Sequence, residues 1–199
     1  LEFVRRNERG LEPELVEVTV GAGESLRLPD VVANRFGGRG VGSLTVRSDG
    51  GGIAVSSRTY ADDPAGTYGQ VVPGLRATKA IRGFEAGRLI HLRHSPLPND
   101  GYRTTLGFAA RCRREMEVAV ELFDGSGESL GVESATLPPM GSGQLNNVFA
   151  PFTDESVENG FAVLSSTTPG CSFHAYASVV ENRTHDPILV PVVPSSSRR

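Results

Sequence analysis

The feature that most constrains this chain is an internal repeat. Shifted by 117 positions, the sequence meets itself from Leu1 on Val118 onward without a gap. Gly10 falls on Gly127, Thr19 on Thr136, Ser25 on Ser142, Leu28 on Leu145 and Val31 on Val148. After one inserted residue, at an offset of 118, Gly42 falls on Gly160, Ser48 on Ser166, Gly52 on Gly170 and Val72-Pro73 on Val190-Pro191. Such a repeat constrains architecture before any local motif, because each copy has to build the same supersecondary unit. The 199 residues then divide into two units of roughly 100, each large enough for its own core. The predicted division is 1–80 and 81–199. Residues 74–87 (GLRATKAIRGFEAG) form the join, and residues 194–199 a flexible tail. Ala80, Ile81, Phe84 and Ala86 make the join apolar enough to pack between the units.

The second copy reads as a run of short strands. Arg88 to His94, Arg103 to Ala110, Met116 to Phe123, Gly131 to Leu137, Gly160 to Ser165 and Ser172 to Val180 carry strand patterns, with a short segment from Gln144 to Phe149. Pro96 to Gly101 (PLPNDG) and Asp124-Gly125-Ser126-Gly127 are turn signals, and Pro138-Pro139 is a break. Pro191 confines the last apolar stretch, Ile188 to Val193, to a sheet edge. No segment holds a helical period over three turns, although Val148 to Asn159 has room for one turn. Strands every 8–12 residues with turns between them predict an all-β chain: two tandem Ig-like antiparallel β-sandwich modules. The 24 glycines and 13 prolines suit many turns.

The first copy repeats this order from its middle. Leu1 to Val4 corresponds to Val118 to Glu121, Val16 to Val20 to Glu133 to Leu137, and Arg27 to Val32 to Gln144 to Phe149. Leu44 to Arg47 and Ile53 to Tyr60 follow as strands. Counterparts of Arg88 to His94 and Arg103 to Ala110 are absent, so this module lacks its initial strands and exposes unpaired backbone edges. Three explanations stand: the strands lie outside this sequence, the copy is a smaller variant, or another chain donates them. The chain opens without Met inside a strand-like stretch, as expected of a segment of a longer polypeptide. Under strand donation, the acceptor edge is expected beside Leu1 to Val4, with Leu1 and Phe3 as contact residues.

A net charge of −3 and a pI near 5.8 lack the basic face that nucleic acid requires. Nothing approaches a membrane-spanning apolar run. Lys79 is the only lysine; the arginine bias is what a GC-rich genome gives. Cys112 and Cys171 suit a disulfide in an exported β-protein, closing a loop of about 60 residues for about 4 kcal/mol; two buried thiols are the alternative.

Several motifs resemble chemistry. Gly127-Glu128-Ser129-Leu130-Gly131 matches a nucleophile elbow, which needs a strand-to-helix turn. Here it lies between two strand patterns, and Glu12 stands at the serine's place in the first copy, so no catalytic residue is assigned. His91 and His94 are three apart and face opposite sides of a strand; with His174 and His185 they mark no zinc site. Acidic and amide loops at Asp62-Asp63, Asn99-Asp100, Asp124 to Glu128, Asp154-Glu155 and Asn182 to Asp186 read as turn chemistry. Calcium is the one ion they admit, at Asp62 and Asp63 or at Asn182 and Asp186; no other cofactor is expected. Among the tyrosines, Tyr68 and Tyr102 are the candidates for ligand contact.

Two stretches carry a family likeness. One is Ser57-Arg58-Thr59-Tyr60 with Gly66-Thr67-Tyr68-Gly69-Gln70 and Val72-Pro73-Gly74. The other is Gly101-Tyr102-Arg103-Thr104-Thr105-Leu106-Gly107-Phe108 with Ala175-Tyr176-Ala177-Ser178-Val179-Val180-Glu181-Asn182 and Asp186-Pro187. Together they resemble the uncharacterised tandem Ig-like β-sandwich repeat regions of large exported bacterial proteins. Ala109-Ala110 departs from the Asn expected at the end of the Arg103 strand. The resemblance implies Ig-like modules and an extracellular or cell-surface location, and assigns no activity. The expected function is a non-catalytic structural or interaction module: a spacer, an adhesive surface or a fibre subunit. Its expected partners are proteins, including copies of itself through strand edges. The alternative is an accessory module that binds glycan or peptide for a secreted enzyme.

Overall fold

From Ile81 onward, alternating apolar and polar residues build two antiparallel sheets laid face to face. The computed structural model describes residues 1–38, 40–64 and 66–194, the side chains of 62, 63 and 194 excepted. Its first segment holds β1 (Glu2–Arg5), β2 (Glu14–Leu15), α1 (Val31–Phe36), β3 (Gly42–Thr45), β4 (Ser56–Asp63) and β5 (Gly66–Pro73). The second holds β6 (Ile81–Arg82), β7 (Ala86–His94), β8 (Tyr102–Arg111), β9 (Met116–Phe123) and β10 (Ser129–Leu137). It continues through β11 (Ser142–Leu145), β12 (Val157–Ser165), β13 (Ser172–Glu181), β14 (Pro187–Pro191) and β15 (Val193–Pro194). The all-β expectation holds.

The second segment is a sandwich of β10-β9-β12-β7-β15 over β11-β8-β13-β14, with β6 pairing β13. β9 shows why: Met116, Val118, Val120 and Leu122 are buried, while the residues between them are less so. Against them pack Leu106 and Phe108 of β8, Phe173 and the small Ala175 and Ala177 of β13, and Leu89 and Leu92 of β7. In β7 the alternation slips once. His91 adopts φ 58, and the register with β12 shifts between Gly160 and Ala162, so Ile90 and His91 both face out and His94 turns in. Asp124 makes the β9–β10 hairpin: one carboxylate oxygen accepts from the Ser126 amide and hydroxyl (2.8 Å each) and the Glu128 amide (2.9 Å). These bonds hold its carboxyl below the usual range, the Ser126 hydroxyl contributing most. Pro191 ends β14 on a sheet edge, as expected.

Cys112 and Cys171 form a disulfide with Cα atoms 4.9 Å apart. It ties the end of β8 to the start of β13, two neighbours in one sheet. The join is partly absorbed into this sandwich: Ile81 is buried and pairs through β6 with Phe173, whereas Phe84 is exposed.

The first segment reproduces part of this pairing. The order β2-β1-β3 matches β10-β9-β12, and the hairpin β4-β5 matches β13-β14. Both registers are stepped by two residues: Phe3 pairs Leu44 where their counterparts would make Val120 pair Ala162, and Val120 pairs Leu164 instead. A step of two keeps the same side chains on the inner face.

Two expected strands are not there. Val16 to Val20 is irregular, because β1 pairs Glu2 with Leu15 and the Leu1 and Val16 backbones bond to each other. Beyond Val16, no described residue pairs with this stretch. Arg27 to Val32 leads instead into α1, where Phe36 is buried against Phe3 with rings 5.3 Å apart. Its counterpart region contains β11, which is held by β8, and none of the described residues forms a β8 equivalent beside this stretch. A strand without a neighbour leaves its amides unpaired, so a local helix forms in its place.

Candidate functional site

Leu1 and Phe3 do not border an open edge. β1 is the central strand of its sheet, with β2 on one side and β3 on the other. The Leu1 amine donates to the Val16 carbonyl at 2.8 Å, and Phe3 is only 2% exposed. The expectation of an acceptor edge beside Leu1 to Val4 is therefore corrected. The outer edges of β2 and β3 are the ones in this sheet without a strand neighbour among the described residues.

Tyr68 is half-buried on β5, opposite Ala61. Tyr102 opens β8, packs on the sandwich core and carries the Arg93 guanidinium 3.7 Å above its ring. Arg93 also binds Glu158 through two nitrogens at 2.7 Å. One face of Tyr102 is thus covered by a held cation, and the two tyrosines belong to separate elements.

The side chains of Asp62 and Asp63 lie outside the described residues. Asn182 is buried and its amide is spent within the chain: the nitrogen donates to the Leu97 and Asp100 carbonyls (3.0 and 2.9 Å), and the oxygen accepts from Arg103 (2.9 Å). A cation there would have to displace a guanidinium. Asp186 is exposed, and its amide donates to the Thr184 hydroxyl. Glu181 caps the same turn by accepting from the Thr184 amide and hydroxyl, which holds its carboxyl below the usual range. Among the described residues, no three of His, Cys, Asp and Glu converge as a metal site requires. The Ser129 hydroxyl is exposed on the hairpin and donates to Glu121 at 3.1 Å rather than to an imidazole.

One end of the sandwich holds a cleft of about 370 Å³ between the β7–β8 turn and the β11–β12 connection. His94, Pro96, Arg103, Asn147, Asp154 and Asn182 are among the residues lining it. Both ring nitrogens of His94 and the Asn147 side-chain oxygen are buried without a hydrogen-bond partner. Buried polar atoms of this kind are normally satisfied, and the cleft is roomy enough for water or a small polar molecule. The sequence puts His91 and His94 on opposite faces of their strand without saying which turns in, and nothing in it marks Asn147 or Arg103 as partners of His94. Asn147 sits at φ 47, which no neighbouring residue announces.

The two segments meet at a second place. The Asn7 amide donates to Ser142 and the Gly10 amide to Pro139, both at 2.8 Å. Arg6 reaches Gln144 at 2.9 Å. A Cβ on Gly10 would collide with the Met140 carbonyl, and one on Gly141 with the Glu8 carbonyl, so glycine at both positions permits this approach. On the other side, Ser178 donates to Gln70 of β5 at 3.2 Å.

No protein-family model matches the chain, and no curated protein or solved structure matches it either.

Proposed function

We propose that this chain is a non-catalytic structural and interaction module of an exported protein, built from two related β-sandwich units. One observation carries the reading: the strand order found in β10-β9-β12 and β13-β14 recurs in β2-β1-β3 and β4-β5, so the repeat extends to backbone pairing. Repetition of this kind conserves a scaffold. Polar positions of the sort chemistry would need are not kept between the copies: Glu12 stands where the second copy has Ser129. The Cys112–Cys171 disulfide favours an oxidising compartment, and no helix among the described residues is long and apolar enough to cross a membrane. The Ig-like, cell-surface assignment rests on these features together with the resemblance to exported bacterial repeat regions.

A panel of esterase, peptidase and glycosidase substrates, with a fluorophosphonate probe, tests the reading. No turnover and no labelling are expected. Turnover abolished by Ser129→Ala would overturn it in favour of a hydrolase. The cleft at His94 favours a second reading, a module that binds a small polar ligand such as a saccharide. Titration calorimetry with mono- and oligosaccharides checks it: binding lost in His94→Phe would put recognition, rather than spacing, first.

A further inference from the structure

We infer that the cleft at the end of the second sandwich binds a small zwitterion, a free α-amino acid, with its ammonium group against His94 and Asn147 and its carboxylate on Arg103. This rests on the second reading above, that the cleft takes a small polar ligand, and names the ligand's class. His94 is 3% exposed, yet both of its ring nitrogens lack a hydrogen-bond partner, as does the buried side-chain oxygen of Asn147. Buried polar atoms left unpaired are costly, so three of them around one cleft point to an occupant.

The cleft is polarised from one wall to the other. The β11–β12 connection supplies acceptors, the Asn147 oxygen and the exposed Asp154 carboxylate. The start of β8 supplies a donor, Arg103. Its Nη1 donates to Asn182 Oδ1 at 2.9 Å and its Nη2 lies 3.4 Å from His185 Nδ1. Neither neighbour is an acid, so the guanidinium has no carboxylate partner among the described residues. Asp154 has no cationic partner among them either. A lone anion on Arg103 would also face Asp154, and a lone cation beside Asp154 would face Arg103. A molecule that carries both charges a few bonds apart meets each wall with the opposite sign. Its ammonium donates to Asn147 Oδ1 and to a ring nitrogen of neutral His94. Its carboxylate accepts from the guanidinium N–H groups that Asn182 leaves over. A sugar ring fits less well, because Pro96, Pro98 and Ala150 give the cleft its apolar surface and no Phe or Tyr lines it for stacking.

Bonds outside the cleft hold it in shape. The buried Phe149 stacks on the His94 ring, with centroids 6.1 Å apart. The Val148 amide donates to the Thr104 carbonyl at 3.0 Å and ties the connection to β8. The Asn182 nitrogen fixes the β7–β8 turn through the Leu97 and Asp100 carbonyls. A site formed in advance loses little to ordering when a ligand enters. Its volume of about 370 Å³ is at the small end for ligand sites and suits a single amino acid. All of its lining residues belong to the second segment. The far end of β7, where Gly87 pairs with β15 and the join arrives, is roughly 25 Å from His94. Entry to the cleft therefore does not depend on the first segment.

Titration of the full chain with the common free amino acids, followed by calorimetry and by the imidazole resonances of His94, tests this. At least one amino acid is expected to bind with a dissociation constant below about 1 mM and to shift the His94 ring signals. Its decarboxylated amine and its deaminated acid should each bind about 10-fold more weakly or worse, as should the amino acid to Asp154→Asn and to Arg103→Gln. Asp154 is exposed, so its variant tests the charge with the fold intact, and circular dichroism checks the Arg103 variant. Equal binding of the deaminated acid would make the cleft an anion site and overturn the inference. An affinity unchanged in Asp154→Asn overturns it as well. A saccharide that shifts His94 where no amino acid does also overturns it, and leaves the ligand-binding reading in place. If neither amino acids nor saccharides move the His94 signals at about 10 mM, the inference and that reading fall together, while the non-catalytic module reading stands. Failure of the module reading would be seen separately, as turnover in the substrate panel.

Discussion

Removing the Cys112–Cys171 crosslink should destabilise the second sandwich by an amount its position allows to be worked out. The bond joins residues 59 apart, so it closes a loop of about 60 residues in the unfolded chain. The chain-entropy relation then gives about 14 cal/mol/K, or about 4 kcal/mol at room temperature. For the roughly 115 residues of the sandwich the entropy of unfolding is about 0.24 kcal/mol/K, so the transition should fall by about 17 °C. Both cysteines are 95% buried, so Cys112→Ala with Cys171→Ala also removes packed sulfur; a parallel reduction of the native chain isolates the crosslink. Urea unfolding of oxidised, reduced and doubly substituted chains, with thiol counting by mass, is the assay. If complete reduction lowers stability by less than about 1 kcal/mol, the unfolded chain is not what the bond restrains, and the entropy argument fails.

His174 is half-buried, with one ring nitrogen buried and lacking a partner. Burial first, and the Arg111 charge second, push its pKa below the ordinary 6.5. The unfolded chain therefore takes up a proton that the folded one resists, so stability is complete above about pH 6.5 and falls as the pH drops through that value toward the folded pKa. His174→Gln should flatten the decline in urea midpoint between about pH 7 and 5; superimposable profiles would reject it. Phe3→Ala should cost about 3–5 kcal/mol locally. Because Phe3 and Phe36 are the main apolar contact of the first segment, amides of β1 and β3 should exchange rapidly while those of β9 and β13 stay protected. Equal loss in both would show that the segments unfold as one. Gly141→Val would drive a side chain into the Glu8 carbonyl and Pro138, at about 1–3 kcal/mol, and should open residues 5–14 to proteolysis; an unchanged digest would refute the close approach.

The strands of the second copy were legible because their signals are local. β9 ends where its alternation ends, at Met116 and Phe123, and β7, β8, β10 and β13 extend at most two residues beyond the expected bounds. The turns between them are set by Asp124 or by PLPNDG, residues that act on their own backbone. The first copy was harder to read. Val16 to Val20 has as good an alternation as many strands, but it pairs only as far as β1 reaches. Leu1 and Phe3 look exposed from the sequence, yet α1, whose counterpart lies in the stretch with room for one helical turn, brings Phe36 back over Phe3.

What the amino-acid order determines here is the all-β class, the repeat and the inward face of each strand, because side-chain alternation and turn chemistry operate within a few residues. What only the tertiary structure decided is which edges are paired, which apolar residues are covered, and how the cleft at His94 is put together. That cleft takes His94 from a strand, Asn147 from a connection and Asn182 from beyond β13. Those outcomes depend on neighbours distant in sequence. A strand with its pattern intact stays a strand only where another backbone is present to receive its hydrogen bonds.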